Sequence, residues 1–252
     1  MSYDLVVCAK ALDKSDLRSW KIVEETGESS PVEREKLEEF LEILLSKYPA
    51  VERDGSNSEF WSSVPELEPR NNGMVLNASN SKAHSMLPDI IEIARKVQVS
   101  VFDYQANRIY RPDGFMGITL EVENQANYIS PTKSQIAEVV NELTAKTGPS
   151  LLFMERKGSQ DYAQVAGGDG MFTAEWREYQ GKDFKHYAAG LKTGSKNEEV
   201  KIHTNGFYVT VMENERLGVL ETEHILTAFA EGKIRPSEYE WRDITSKFDS
   251  GK

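Results

Sequence analysis

Apolar residues recur along this chain with two periods, and the change from one to the other divides it. In the first part the helical period dominates. Leu37, Phe40, Leu41, Leu44 and Leu45 fall at i, i+3, i+4, i+7 and i+8, which places them on one stripe of a helix. Ser30-Pro31-Val32-Glu33 supplies its start, with a serine N-cap, proline at the first helical position and a glutamate three residues after the cap. Tyr48-Pro49 supplies its end. Met86, Ile90, Ile91, Ala94 and Val97 repeat the spacing and predict a helix over 85–97, with Pro88 tolerable only in the first turn. Short runs of β-forming residues at 3–8, 74–78, 99–104 and 108–110 predict strands around these helices. The stretch 11–29 is polar without a period and reads as loop or short helix. Residues 51–72 read as a long loop, with Trp61 tucked against the body.

Beyond residue 127 the pattern changes. A second Ser-Pro helix start at Ser130-Pro131 precedes Ile136, Val139, Val140 and Leu143 at helical spacing. Strands at 151–154, 162–165, 171–179, 186–191 and 200–212 then alternate with turn residues and predict an antiparallel meander, the last strand folding back at Asn205-Gly206. A helix over 221–231 and an extended segment over 239–244 close the chain. The polar stretch 123–127 marks the boundary. The expected fold class is α+β: a mixed α/β module over 1–127, followed by an antiparallel-sheet module with flanking helices over 128–252.

Composition narrows the function classes. With 41 acidic against 30 basic residues, the net charge of -11 repels phosphate backbones and anionic lipid, so nucleic acid and membrane are not expected partners. The same charge favours a basic partner. Residues 1–70 hold 16 Asp or Glu against 9 Lys or Arg, so much of the surplus lies early. No run approaches the length of a membrane helix, and the apolar run 5–9 is too short for a secretion signal. The single cysteine, Cys8, admits no internal disulfide and fits a reducing compartment, so a cytoplasmic location is expected.

Recognisable catalytic motifs do not emerge. His84, His186, His203 and His224 lack metal-ligand spacing, and neither a metal nor a cofactor is expected. Gly167-Gly168-Asp169-Gly170 lies between two predicted strands and reads as a hairpin turn, whereas a phosphate loop would open a helix. Cys8 reads as a small buried hydrophobe. On the strand through 172–179, period two sets Phe172, Ala174, Trp176 and Glu178 on the face toward the core and Thr173, Glu175, Arg177 and Tyr179 on the other. Glu175, Arg177 and Tyr179, with Asp169 at the turn, form a mixture of charge and aromatic surface that suits a basic protein partner. Glu35 and Glu39, on the polar side of the first helix, are a second candidate contact stripe. The competing readings are an enzyme whose dispersed groups, among them Asp103, Glu175 and His186, meet only in the fold, or a regulatory protein-binding module.

Gly168-Asp169-Gly170-Met171-Phe172-Thr173-Ala174-Glu175-Trp176-Arg177 resembles the strand-turn signature of bacterial Imm1-like immunity proteins. Residues 220–232 and the closing Tyr239-Glu240-Trp241-Arg242-Asp243-Ile244 resemble the late helix and aromatic-acidic strand of the same family. The first half looks like a module of uncharacterised bacterial cytoplasmic proteins. The resemblance implies a protein that neutralises a cognate toxin in interbacterial competition by stoichiometric binding. Its enzymatic alternative is a hydrolase that reverses a toxin's modification.

Overall fold

A computed structural model describes residues 2–9, 30–50, 58–65 and 73–248. The expected loop at 11–29 and most of that at 51–72 lie outside them. The chain divides into two compact units, residues 1–114 and 115–252, and its architecture is α+β, with four helices and three antiparallel sheets among the described residues.

The first unit holds strands β1 (Ser2–Cys8), β2 (Trp61–Ser63), β3 (Gly73–Ser79), β4 (Ser100–Asp103) and β5 (Arg108–Tyr110), with helices α1 (Pro31–Lys47) and α2 (Asn80–Lys96). The sheet order is β2-β3-β1-β4-β5. β3 and β4 both pair antiparallel with β1, so they run parallel to each other and α2 makes the crossover. Leu5, Val6, Val7 and Cys8 are all buried, as a central strand requires. Cys8 is thus a core residue.

Helix α1 begins where its sequence signals say. Ser30 Oγ accepts from the Glu33 amide at 3.3 Å, and the Ser30 amide donates to Glu33 Oε2 at 2.7 Å, closing the capping box. Leu37, Phe40 and Leu44 are its buried face. Trp61 is buried, as expected, and its indole N–H donates to the Tyr48 carbonyl at 2.9 Å. Helix α2 departs from expectation: it begins at Asn80, so Pro88 lies in its interior rather than its first turn. Pro88 removes the bond to the His84 carbonyl, and its ring faces solvent, where the freed carbonyl can be hydrated.

The second unit is built on a seven-stranded sheet in the order β14-β11-β10-β9-β8-β6-β7. Its strands are β6 (Ile118–Val122), β7 (Tyr128–Ile129), β8 (Leu151–Arg156), β9 (Tyr162–Gly168), β10 (Met171–Gln180), β11 (Asp183–Gly190) and β14 (Glu240–Asp243). β8 to β11 are the expected meander. Strand β6 was not anticipated, and it changes the boundary. Residues 123–127, read from the sequence as the border between modules, are the turn of the β6–β7 hairpin, and the division falls between Gly114 and Phe115. The segment expected as the meander's last strand is a separate ribbon of β12 (Glu199–His203) and β13 (Tyr208–Met212).

Helices α3 (Lys133–Glu142) and α4 (Val219–Ala230) pack against this sheet through Ile136, Val139, Val140, Ile225, Leu226 and Phe229. Helix α3 starts two residues beyond the Ser130 cap expected from sequence. The Ser130 amide donates to the Ile118 carbonyl at 2.7 Å and its φ is +53°, so Ser130 belongs to the hairpin. Thr132 and Gln135 form the capping box instead. Phe172, Ala174 and Trp176 of β10 face the helices as expected, and Trp176 meets Phe229 and Trp241 edge-on at 5.0 and 5.8 Å. Among the described residues no helix is long and apolar enough to cross a membrane.

Candidate binding face on the second sheet

The helices cover one face of the seven-stranded sheet, and period two sends the intervening side chains to the other. Register then aligns them across strands. Glu175 stands opposite Gln164 on β9 and Ala188 on β11, Gln164 opposite Phe153 on β8, and Phe153 opposite Glu121 on β6. The next row sets Arg177 between Tyr162 and His186. Directly opposed side chains lie close enough to interact.

At the centre is His186, fully buried. Arg177 Nε donates to His186 Nδ1 at 2.8 Å. A guanidinium nitrogen only donates, so Nδ1 accepts, and the hydrogen-bond pattern assigns the ring proton to Nε2. Nε2 then donates to Glu175 Oε2 at 2.8 Å, and Gln164 Nε2 donates to the same oxygen at 2.5 Å. Phe248 stacks on the imidazole at 4.4 Å, and Tyr162 meets it edge-on at 5.8 Å. The Arg177 guanidinium lies 4.2 Å from the Phe184 ring and 4.5 Å from that of Phe248, so its charge is held against π faces. The His186 amide donates to Thr245 Oγ1 at 3.0 Å, which ties the segment after β14 to this network.

Burial pushes Glu175 toward its neutral form, but hydrogen bonds from His186 and Gln164, together with nearby positive charge including that of Lys247, outweigh that effect and hold its carboxyl below the ordinary value. Glu175 therefore stays an anion. Both donors take Oε2, and among the described residues Oε1 accepts no hydrogen bond.

Beside this carboxylate lies a cavity of about 580 Å³ between the sheet and the β12–β13 ribbon. Glu121, Glu123 and Glu175 supply its acids, Phe153 and Phe207 its aromatic walls, and among the described residues no Lys, Arg or His lines it. Glu123 is anchored by the Ser150 amide and hydroxyl at 2.8 and 3.1 Å. Thr173 also lines the cavity, is buried to 3% exposure, and its hydroxyl has no hydrogen-bond partner among the described residues. Buried hydroxyls are rarely left so.

Of the residues singled out from sequence, Glu175 and Arg177 are joined through His186, and the Tyr179 ring packs on Phe184 at 5.6 Å. Asp169 is at the other end of β10. With φ of +54° it leads the two-residue β9–β10 turn, completed by Gly170 at +81°, and its amide donates to the Leu143 carbonyl at 3.0 Å. It shapes the hairpin and does not join the cluster. Glu35 and Glu39 are exposed on α1, in the first unit.

Asp103, also in the first unit, is buried and accepts from the Tyr3 hydroxyl at 2.6 Å and the Ala106 amide at 2.9 Å. Burial, reinforced by this carboxylate, raises the Tyr3 phenol well above its usual range. Among the described residues no group of three or more His, Cys, Asp or Glu could hold a metal ion.

Sequence reasoning missed Gln164, Phe184, Phe207 and Phe248 as parts of this face; it set Thr173 on the face without giving it a role, and it named His186 only among the dispersed groups of an enzyme. Period two applied to β9 and β11, with register counted from the Asp169-Gly170 and Gly181-Lys182 turns, would have found Gln164, Phe184 and His186. No family model, curated protein or solved structure matches the chain.

Proposed function

We propose that this chain is an immunity-type antitoxin, a cytoplasmic protein that neutralises a basic toxin by binding it one to one through the outer face of its second sheet. The observation that carries the reading is the acid-lined, aromatic-walled cavity beside Glu175, whose charge and position are set in advance by His186 and Gln164. An anion fixed before binding loses little side-chain freedom when a cation meets it. The resemblance to Imm1-like immunity proteins falls on β10, the strand that carries Glu175 and Arg177, and the net charge of -11 suits a basic partner.

The enzymatic alternative is weaker on the same geometry. Both ring nitrogens of His186 are engaged by protein groups and the ring is fully buried, so neither is open to exchange a proton with a substrate. Asp103 is satisfied by Tyr3 and Ala106.

The test is stoichiometry. The chain is co-expressed at graded ratios with the product of its neighbouring gene, with growth as the readout and the purified complex weighed by light scattering. Protection should rise until the two proteins are equimolar and then level off. Full protection at a small fraction of the toxin's concentration would mark a catalyst and overturn the reading.

A further inference from the structure

Resting on that reading and deepening it, we infer that the cavity beside Glu175 receives a guanidinium group, carried by an arginine side chain of the partner. Two oxygen atoms on one face of β10 can take a donor. Glu175 Oε1 accepts nothing among the described residues, while its anionic form is held by the two donors on Oε2. Thr173 Oγ1, two residues away on the same strand and face, is buried without a partner among the described residues. The two Cα atoms are therefore about 6.5 Å apart.

A guanidinium is planar and carries five N–H donors in a fork, so it can address separated acceptors, whereas a lysine ammonium is a compact, strongly hydrated point charge. The walls discriminate in the same direction. Phe153 and Phe207 offer aromatic faces, and a guanidinium lies flat on such a face with little desolvation cost. Glu121 and Glu123 add negative charge, and among the described residues no cationic side chain lines the space. The chain already pairs this chemistry internally, since Arg177 lies over Phe184 and Phe248 a short distance along β10.

The experiment titrates the full-length chain, isotope-labelled at threonine methyl and backbone amide groups, with N-acetyl-arginine methylamide, with the citrulline analogue and with the lysine analogue. The arginine compound should shift the signals of Thr173 and Glu175 with an affinity of order millimolar, as befits a fragment. The citrulline analogue, neutral and of similar shape, should bind at least about ten-fold more weakly, a difference of about 1.4 kcal/mol. Glu175→Gln should weaken the arginine compound by a similar factor. Thr173→Val keeps the shape and removes the acceptor, so it tests the site even if Glu175→Gln disturbs the network.

Equal binding of the citrulline analogue, or unchanged affinity in both variants, overturns the inference. Failure of the functional reading looks different: the arginine compound binds and the variants weaken it, yet no toxin complex forms. If the complex forms and neither variant nor the arginine compound affects it, the guanidinium assignment falls and the antitoxin reading stands.

Discussion

His186 shows how a single residue can be ordinary in sequence and central in the fold. It is one strand position among many, yet it bridges Arg177 and Glu175 from a fully buried site. His186→Ala should cost about 2–4 kcal/mol in urea unfolding, because it leaves a guanidinium N–H and a carboxylate without the partner that satisfied them. His186→Gln, which can still donate, should cost less. Glu175 gives the acid dependence. Its folded pKa lies below the value of 4.5 expected for a free carboxyl, so its contribution is present above about pH 4.5 and is lost as pH falls through the folded value. The acid limb of a stability-pH profile should accordingly be shallower in Glu175→Gln than in the parent. Of this cluster, Glu175, Arg177 and Tyr179 were legible because β10 alternates cleanly. Gln164 was not singled out and His186 was named only among the dispersed groups of an enzyme, because their roles depend on which residue faces them across the sheet, which one strand's pattern does not state.

At the scale of elements, local chemistry announced α1 and the strands of the β8–β11 meander, but it misplaced the cap of α3 and gave no sign of β6. The α1 capping box is written into Ser30 and Glu33, and Ser30→Ala should lower stability by about 1 kcal/mol. Strand β6 had no such announcement: its five residues sit just before a polar turn that mimics a linker, and only pairing with β8 makes them part of the sheet. The glycines of the β9–β10 turn separate two physical causes. A methyl group on Gly168 would land on backbone atoms of Thr144 and Ala145, whereas one on Gly170 meets open space and costs only the strain of φ at +81°. Gly168→Ala should therefore destabilise by about 2–3 kcal/mol and Gly170→Ala by about 1 kcal/mol, measured by thermal or urea unfolding. The β12–β13 ribbon is held to the body through buried Ile202 and Val211 and leaves Phe207 half exposed at its tip, against the cavity. Phe207→Ala should leave unfolding nearly unchanged and weaken partner binding by about 1–2 kcal/mol.

At the scale of the whole molecule, the two units each carry a sheet with its own helices, and the large apolar cluster of the second unit is drawn entirely from residues after Gly114. Residues 115–252 produced alone should therefore unfold in one cooperative transition by circular dichroism, whereas a fragment starting at 128 should not, because it lacks Ile118, Leu120 and Val122 of that cluster. Association with a basic partner should slow as salt is added, since a net charge of -11 acts on encounter over roughly a Debye length. The seven-stranded sheet ends in β7, two residues long, and β14, four residues long. Edges this brief give an incoming strand almost no ladder to extend, so backbone pairing at either end cannot supply much affinity. A partner that docks on this sheet has to read side chains, and recognition of that kind is sequence-specific: a few substitutions on one face suffice to exchange one partner for another without touching the scaffold.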